Sequence, residues 1–307
     1  MQKEASNIME QNKTETSIPY LRTLRKWTPV LPILGIVIAL ALSVGLVMDF
    51  DEDIGHFAIG SPSFYLMTAG TAAAALIAAV FGKCATQKFS LTSCPETAPL
   101  SVCASYFTAL MAIITAAAFF YDTFLLNRIA TPLELMSNGT LFALPVSMLL
   151  GAHETTRHST VRVIFAILAA LSVNLNMFAC YFDFTLPLNS AVRNLITIAQ
   201  AGAMLILLSE VRLALSPERR ATAPFLVFSS VFGASAVFGI SFGLCVFAFV
   251  SPDAIDMGIS VYRFASYFGI ALLALSRLFA LTTAAGPYIP SEEDAPEAAK
   301  EPSGNSL

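Results

Sequence analysis

Long apolar stretches alternate with short polar ones along the whole chain. Apolar runs occupy residues 30–48, 63–82, 100–121, 132–151, 161–181, 190–209, 224–250 and 259–281. At a helical rise of 1.5 Å per residue, each is long enough to cross a hydrocarbon core of about 30 Å. Lipid offers no hydrogen-bond partner to an open strand edge, so these spans must be helical. The pattern predicts an all-α, polytopic transmembrane helix bundle of about eight helices, with both termini in the cytoplasm. Three regions follow: a polar N-terminal segment (1–28), the bundle (29–284) and an acidic, Pro-rich tail (285–307). Residues 1–18 and the tail lack a periodic apolar face and are expected to be disordered. Arg22, Arg25, Lys26 and Trp27 form a basic, aromatic collar of the kind found at a membrane surface. The first run is too long for a signal-peptide core and is read as a membrane helix.

Composition supports this reading. Of 307 residues, 56% are hydrophobic and only 12% charged, against roughly a quarter charged in soluble domains. A chain this apolar cannot hide its surface within its own interior, so the lipid bilayer is its first partner. The net charge of −4 gives no reason to expect nucleic acid.

The distribution of charge sets the orientation. With eight crossings, the side holding the N-terminus carries Arg22, Arg25, Lys26, Lys83, Lys88, Arg157, Arg162, Arg212, Arg219, Arg220 and Arg277. The opposite side has Arg128, Arg193 and Arg263, so the count is eleven against three, as the positive-inside rule requires. The fourth run is the irregular one, with Glu134, Asn138, Gly139 and Pro145. Removing its crossing would send Arg212, Arg219 and Arg220 outside together, so it is kept. It is either kinked at the proline or broken outright. The outer loops hold Asp49, Asp51, Glu52, Asp53, Asp122, Asp183, Asp253 and Asp256. The expected location is a cell membrane, with compact loops suiting the bacterial cytoplasmic membrane. A faint parallel repeat (Tyr181-Phe182-Asp183 against Phe120-Tyr121-Asp122) is explained equally well by shared hairpin constraints.

Helices already in lipid associate through close packing and hydrogen bonds. Small residues four apart mark such faces: Ser235, Gly239 and Gly243 in the seventh run, and Gly70, Ala74, Ala78 and Gly82 in the second. The glycine faces (Gly70, Gly82, Gly239, Gly243) would suit a neighbouring helix or another membrane chain. In the third run, Ser101, Ser105, Thr108, Ala112 and Thr115 form a small, hydroxyl-bearing stripe. Close helix contact is its first reading and a hydrophilic path its second.

Polar residues inside the spans are the candidates for function. Glu134 and Asn138 (fourth), Asn174 and Asn176 (fifth), and Arg193 and Gln200 (sixth) are grouped as a polar, solute-binding interior. Arg193, Thr197 and Gln200 share one helical face; Asn174 and Asn176 do not, so at least one should face the bundle. Asp122 and Asp183 sit at helix C-termini, and Arg193 and Arg263 near N-termini. Each therefore opposes the helix dipole by about 0.3–1 kcal/mol. Asp183 with Arg193 and Asp253 with Arg263, or the same groups exchanged between hairpins, are read as structural ion pairs, and Asp122 is counted with them.

Little else carries chemistry. His153 and His158 are five apart, which is not the zinc-protease spacing. No CxxC, phosphate loop or dinucleotide fingerprint is present, and neither metal nor cofactor is expected. Asn12 and Asn138 open glycosylation sequons on the wrong side of, or inside, the membrane. Three readings remain: a transporter-like or small-solute-binding bundle, weakly favoured; a non-catalytic structural, sensory or accessory protein that binds another membrane chain; and, last, an enzyme, for which a nucleophile–base constellation is missing.

Overall fold

The computed structural model describes residues 37, 48, 50–51, 56–57, 69, 73, 75–80, 82–84, 86, 89–91, 94–127, 129–182, 191–217, 219, 221–242 and 261–287. Its helices are α1 (Ala75–Cys84), α2 (Pro99–Phe124), α3 (Pro132–Leu141), α4 (Ala143–Ala152), α5 (Thr160–Tyr181), α6 (Ala191–Leu215), α7 (Thr222–Gly233) and α8 (Val261–Ala284). A π-helical turn, Ala234–Phe238, continues α7. Two short antiparallel pairings, 50–51 with 56–57 and 89–91 with 285–287, are the only strand ladders among the described residues.

The chain is an all-helical bundle. Among the described residues, six helices are long and apolar enough to cross a membrane, counting α3 with α4 as one and α7 with its continuation as one. They correspond to the third through eighth runs of the sequence. α1 falls in the second run, and the first run lies outside the described residues apart from two positions.

Local sequence explains the helix starts. Pro99 and Pro132 occupy first-turn positions, where a missing N–H costs nothing. Ser159 caps α5 by accepting from the Arg162 amide at 3.2 Å. The fourth run forms one helix long and apolar enough to cross, with a joint: Phe142 separates α3 from α4 while keeping right-handed helical angles. Pro145 explains it. Its ring nitrogen cannot donate to the carbonyl of Leu141, and its ring crowds that carbonyl. The ladder of the run is therefore interrupted at Phe142 while its backbone stays helical.

Packing puts small residues inside and large ones against lipid. Ala112, Ala116, Ala199, Ala203, Ala271 and Ala274 are buried, whereas Leu110, Ile113, Ile164, Ile167 and Leu171 are exposed. α2 packs along α8, α3 and α4 against α5, α5 against α6, α6 against α7, and α7 against α8. The hydroxyl stripe of α2 is the seam with α8: Ser101 Oγ donates to the Ser276 carbonyl (3.3 Å) and Thr108 Oγ1 to the Gly269 carbonyl (2.8 Å). All five stripe residues are buried.

Glycine allows the closest approach between α6 and α7. A Cβ on Gly233 would lie 2.5 Å from Ile206 Cδ1 and 2.9 Å from the Gly202 carbonyl oxygen. On α1, a Cβ on Gly82 would lie 2.7 Å from Val227, so the second and seventh runs do meet. Gly82 and Gly239 are both buried within the chain; Gly70 and Gly243 lie outside the described residues. Gly139, by contrast, faces open space: a Cβ there would meet nothing within 4 Å. Gly233→Ala should therefore destabilise the detergent-solubilised protein by about 1–3 kcal/mol, and Gly139→Ala should be neutral or stabilising, by up to about 1 kcal/mol. Thermal unfolding of both variants beside the parent checks this, and equal effects would contradict the packing described.

Candidate functional site

Two polar sites interrupt the apolar bundle. The first is a buried network of charge at the basic end of the bundle, where residues 94–98, 153–159, 216–217, 219 and 221 lie. Glu96 lies in the short turn Pro95–Thr97 before α2, Arg162 opens α5, Glu210 lies in the last turns of α6 and Arg277 in those of α8. Exposure is 0% for Arg162 and 1% for each of the other three.

Arg162 grips Glu96 with both terminal nitrogens. Nη1 donates to Oε2 at 3.0 Å, and Nη2 donates to Oε1. Nη1 also reaches the Arg157 carbonyl (2.8 Å), and Nη2 the Glu210 carboxylate (3.5 Å). Arg277 binds Glu210 through Nε (2.8 Å) and Nη2 (3.2 Å), and Nη2 also donates to Ser105 Oγ at 3.2 Å. Gly151 makes room for Arg162, because a Cβ there would lie 2.9 Å from the guanidinium carbon. Two positive and two negative groups cancel, as a site removed from water requires. Burial pushes the Glu96 carboxyl above its ordinary range, the Arg162 guanidinium draws it back, and the nearby Glu210 adds to the rise.

The second site is a cavity of ≈ 20 Å³ lined by Thr115 of α2, Ser137 and Asn138 of α3, Ser172 and Asn176 of α5, and Ser266 and Tyr267 of α8, with Leu141, Val173 and Ile270 completing it. A cavity this size holds one or two water-sized guests. Ser137, Asn176 and Ser266 each lie five residues from a helix end, so the cavity is about 7 Å inside the opposite, far end. Asn176 Nδ2 donates to the Tyr267 oxygen at 2.6 Å, tying α5 to α8, and Ser137 Oγ donates to the Ser172 carbonyl at 2.9 Å, tying α3 to α5.

The grouped polar residues divide. Asn138 and Asn176 line the cavity. Asn174 is half-buried and lies outside its lining. Glu134 serves a capping box: its carboxylate accepts from the Thr131 amide (3.0 Å) while Thr131 Oγ1 accepts from the Glu134 amide (3.2 Å). Gln200 is buried elsewhere, donating to Cys180 Sγ at 3.4 Å. Arg193 is buried but Thr197 is exposed, so the stripe of the sixth run does not share one environment. Of the expected ion-pair residues, Asp122 is half-buried. Asp183, Asp253 and the Arg263 side chain lie outside the described residues.

The apolar pattern alone does not reveal the charged network. It counts Arg162 and Arg277 among surface charges and gives Glu96 and Glu210 no weight. A signal is nonetheless present: Glu210 is the one acid within α6, and a lone acid in an apolar helix demands a cation. Ending the sixth run at 209 hides it, whereas α6 continues to Leu215.

No protein-family model, curated protein or solved structure matches the chain.

Glu210 is held by both guanidiniums, Glu96 by one. Glu210→Gln should therefore cost about 3–5 kcal/mol by stranding buried Arg277 and taking a second counter-charge from Arg162, and Glu96→Gln less, because Arg162 keeps its contact with Glu210 at 3.5 Å. The sign follows from the raised value: the folded chain holds the Glu96 proton more tightly than the unfolded one. This contribution is full at acid pH and falls as pH rises through the folded value. Unfolding of the parent and Glu96→Gln across that range checks it; an unchanged pH profile in the variant would contradict it.

Proposed function

We propose that this multi-pass membrane protein binds a small polar solute in the far half of its bundle, as a transporter closed at its basic end would. The observation that carries the reading is the convergence of seven polar side chains from α2, α3, α5 and α8 on one cavity within an otherwise apolar bundle. Structural hydrogen bonding alone needs pairs, each worth about 0.6 kcal/mol in such bundles; it gives no reason to gather seven groups around a space.

Two further features support it. The charged network closes the basic end, so a solute in the cavity is separated from that side by paired charge and packed side chains. The Phe142 joint lets α3, which carries Ser137 and Asn138, tilt relative to α4 and enlarge the cavity. Eleven basic residues against three support placing the basic end in the cytoplasm of a cell membrane. Acidic residues on the far side favour a cationic or neutral solute over an anion.

Thiol accessibility tests the reading. Ser137→Cys, Ser172→Cys and Asn176→Cys are made in a chain whose native cysteines are replaced, with Leu144→Cys as a control at a fully buried apolar position. A membrane-impermeant thiol reagent is too large for the ≈ 20 Å³ space; added outside intact cells, it should label the three cavity positions as α3 swings away from α5 and spare the control. Folded protein with none of the three labelled would sink the proposal.

A further inference from the structure

The hydrogen bonds of the cavity wall run in a consistent direction. Ser137 Oγ donates to the Ser172 carbonyl (2.9 Å), Ser172 Oγ to the Ala169 carbonyl (2.8 Å), Asn138 Nδ2 to the Glu134 carbonyl (2.9 Å) and Thr115 Oγ1 to the Met111 carbonyl (2.9 Å). A main-chain carbonyl can only accept, so in each pair the proton belongs to the side chain. The Asn138 amide is thereby oriented too: its nitrogen faces the Glu134 carbonyl, and its oxygen is turned away. Asn176 likewise commits an amide hydrogen to Tyr267.

Beside the Ser266 and Tyr267 hydroxyls and the second amide hydrogens of the asparagines, this leaves oxygen lone pairs for a guest. The hydroxyl oxygens of Ser137 and Ser172 and the amide oxygens of Asn138 and Asn176 form an acceptor set from two helices, α3 and α5. Among the described residues, no carboxylate and no basic side chain lines the cavity. An anion would find no cationic side chain to balance it there. A divalent cation is poorly served, because its hydration is surrendered only to carboxylate-rich sites. Neutral oxygens in a space of ≈ 20 Å³ suit a single small guest that brings positive charge.

We infer that the cavity is a site for a small monovalent cation, Na⁺ or NH₄⁺, held by neutral oxygen atoms of Ser137, Asn138, Ser172 and Asn176. The inference rests on the solute-binding reading above and narrows it to a chemical class. The ion would bridge α3 to α5 beyond the Phe142 joint, so binding would hold α3 against the bundle.

The test uses the full-length protein in nanodiscs of zwitterionic lipid. Thermal unfolding is followed while choline chloride is replaced by NaCl, NH₄Cl or KCl at constant ionic strength. Na⁺ or NH₄⁺ should stabilise saturably and choline should not. Asn138→Ala and Ser172→Ala should each raise the apparent Kd about tenfold, the loss of roughly one charge-assisted acceptor, while Gln200→Leu, outside the cavity, should leave it unchanged. If a cavity variant does not fold, binding of radioactive sodium to the parent, displaced by unlabelled Na⁺ but not by choline, supplies the same answer. Equal stability in all four salts, or a cation effect that survives both cavity substitutions, overturns the inference. Thiol labelling of the cavity without any cation effect removes the cation and leaves the solute site; failure of labelling removes both.

Discussion

The pairing of two arginines with two glutamates out of contact with water is the constraint on which the bundle's geometry depends. The four residues come from the turn before α2 and from α5, α6 and α8, with Ser105 of α2 as a further acceptor and Gly151 of α4 yielding the space. Neighbouring helices in lipid gain little from hydrophobic burial, and alanine-rich contacts permit sliding along the helix axis. Charges do not. Moving any one helix by a turn would leave an ionised group in a dry interior without its counterpart, at several kcal/mol. The network thus sets axial register among helices whose apolar surfaces specify it poorly.

The far half is built differently. Its hydrogen bonds are neutral, and α3 is set off from α4 by the proline-induced joint at Phe142. Rigidity at one end and weak polar contacts at the other divide the bundle into an anchored half and an adaptable half. The hydroxyl stripe of α2 spans both: Ser105 touches the charged network and Thr115 lines the cavity. Ten residues, about 15 Å of helix, separate them.

Much of the architecture is legible from apolar periodicity, because lipid imposes one length and one backbone geometry on every crossing. The stripe on α2 is also legible, since five small residues at helical spacing leave few alternatives to a helix seam. Asn138 and Asn176 stand out because a side-chain amide in an apolar run is costly against lipid, although the same signal also marks Asn174, which lies outside the lining. Ser137, Ser172, Ser266 and Tyr267 do not, since serine is common in such helices as a back-bonded hydroxyl and tyrosine as an interfacial ring. Glu134 misleads as a site residue because a carboxylate three residues after Thr131 serves the helix start. Arg162 and Arg277 escape notice for a related reason: near a span end, a basic residue has water within reach, and only three-dimensional packing reveals whether it uses it.

The network also bears on biosynthesis. Glu96, Arg162 and Glu210 emerge from the ribosome before Arg277, which lies in α8, after all the other charged members. Until that helix arrives, Glu210 has only part of its counter-charge. All four residues lie within about two turns of the same ends of their helices, so during insertion the unmatched groups can stay among lipid headgroups and water. Only that crossing lets the whole set withdraw into the protein. Completion of the bundle and burial of its charge are thereby made a single late event.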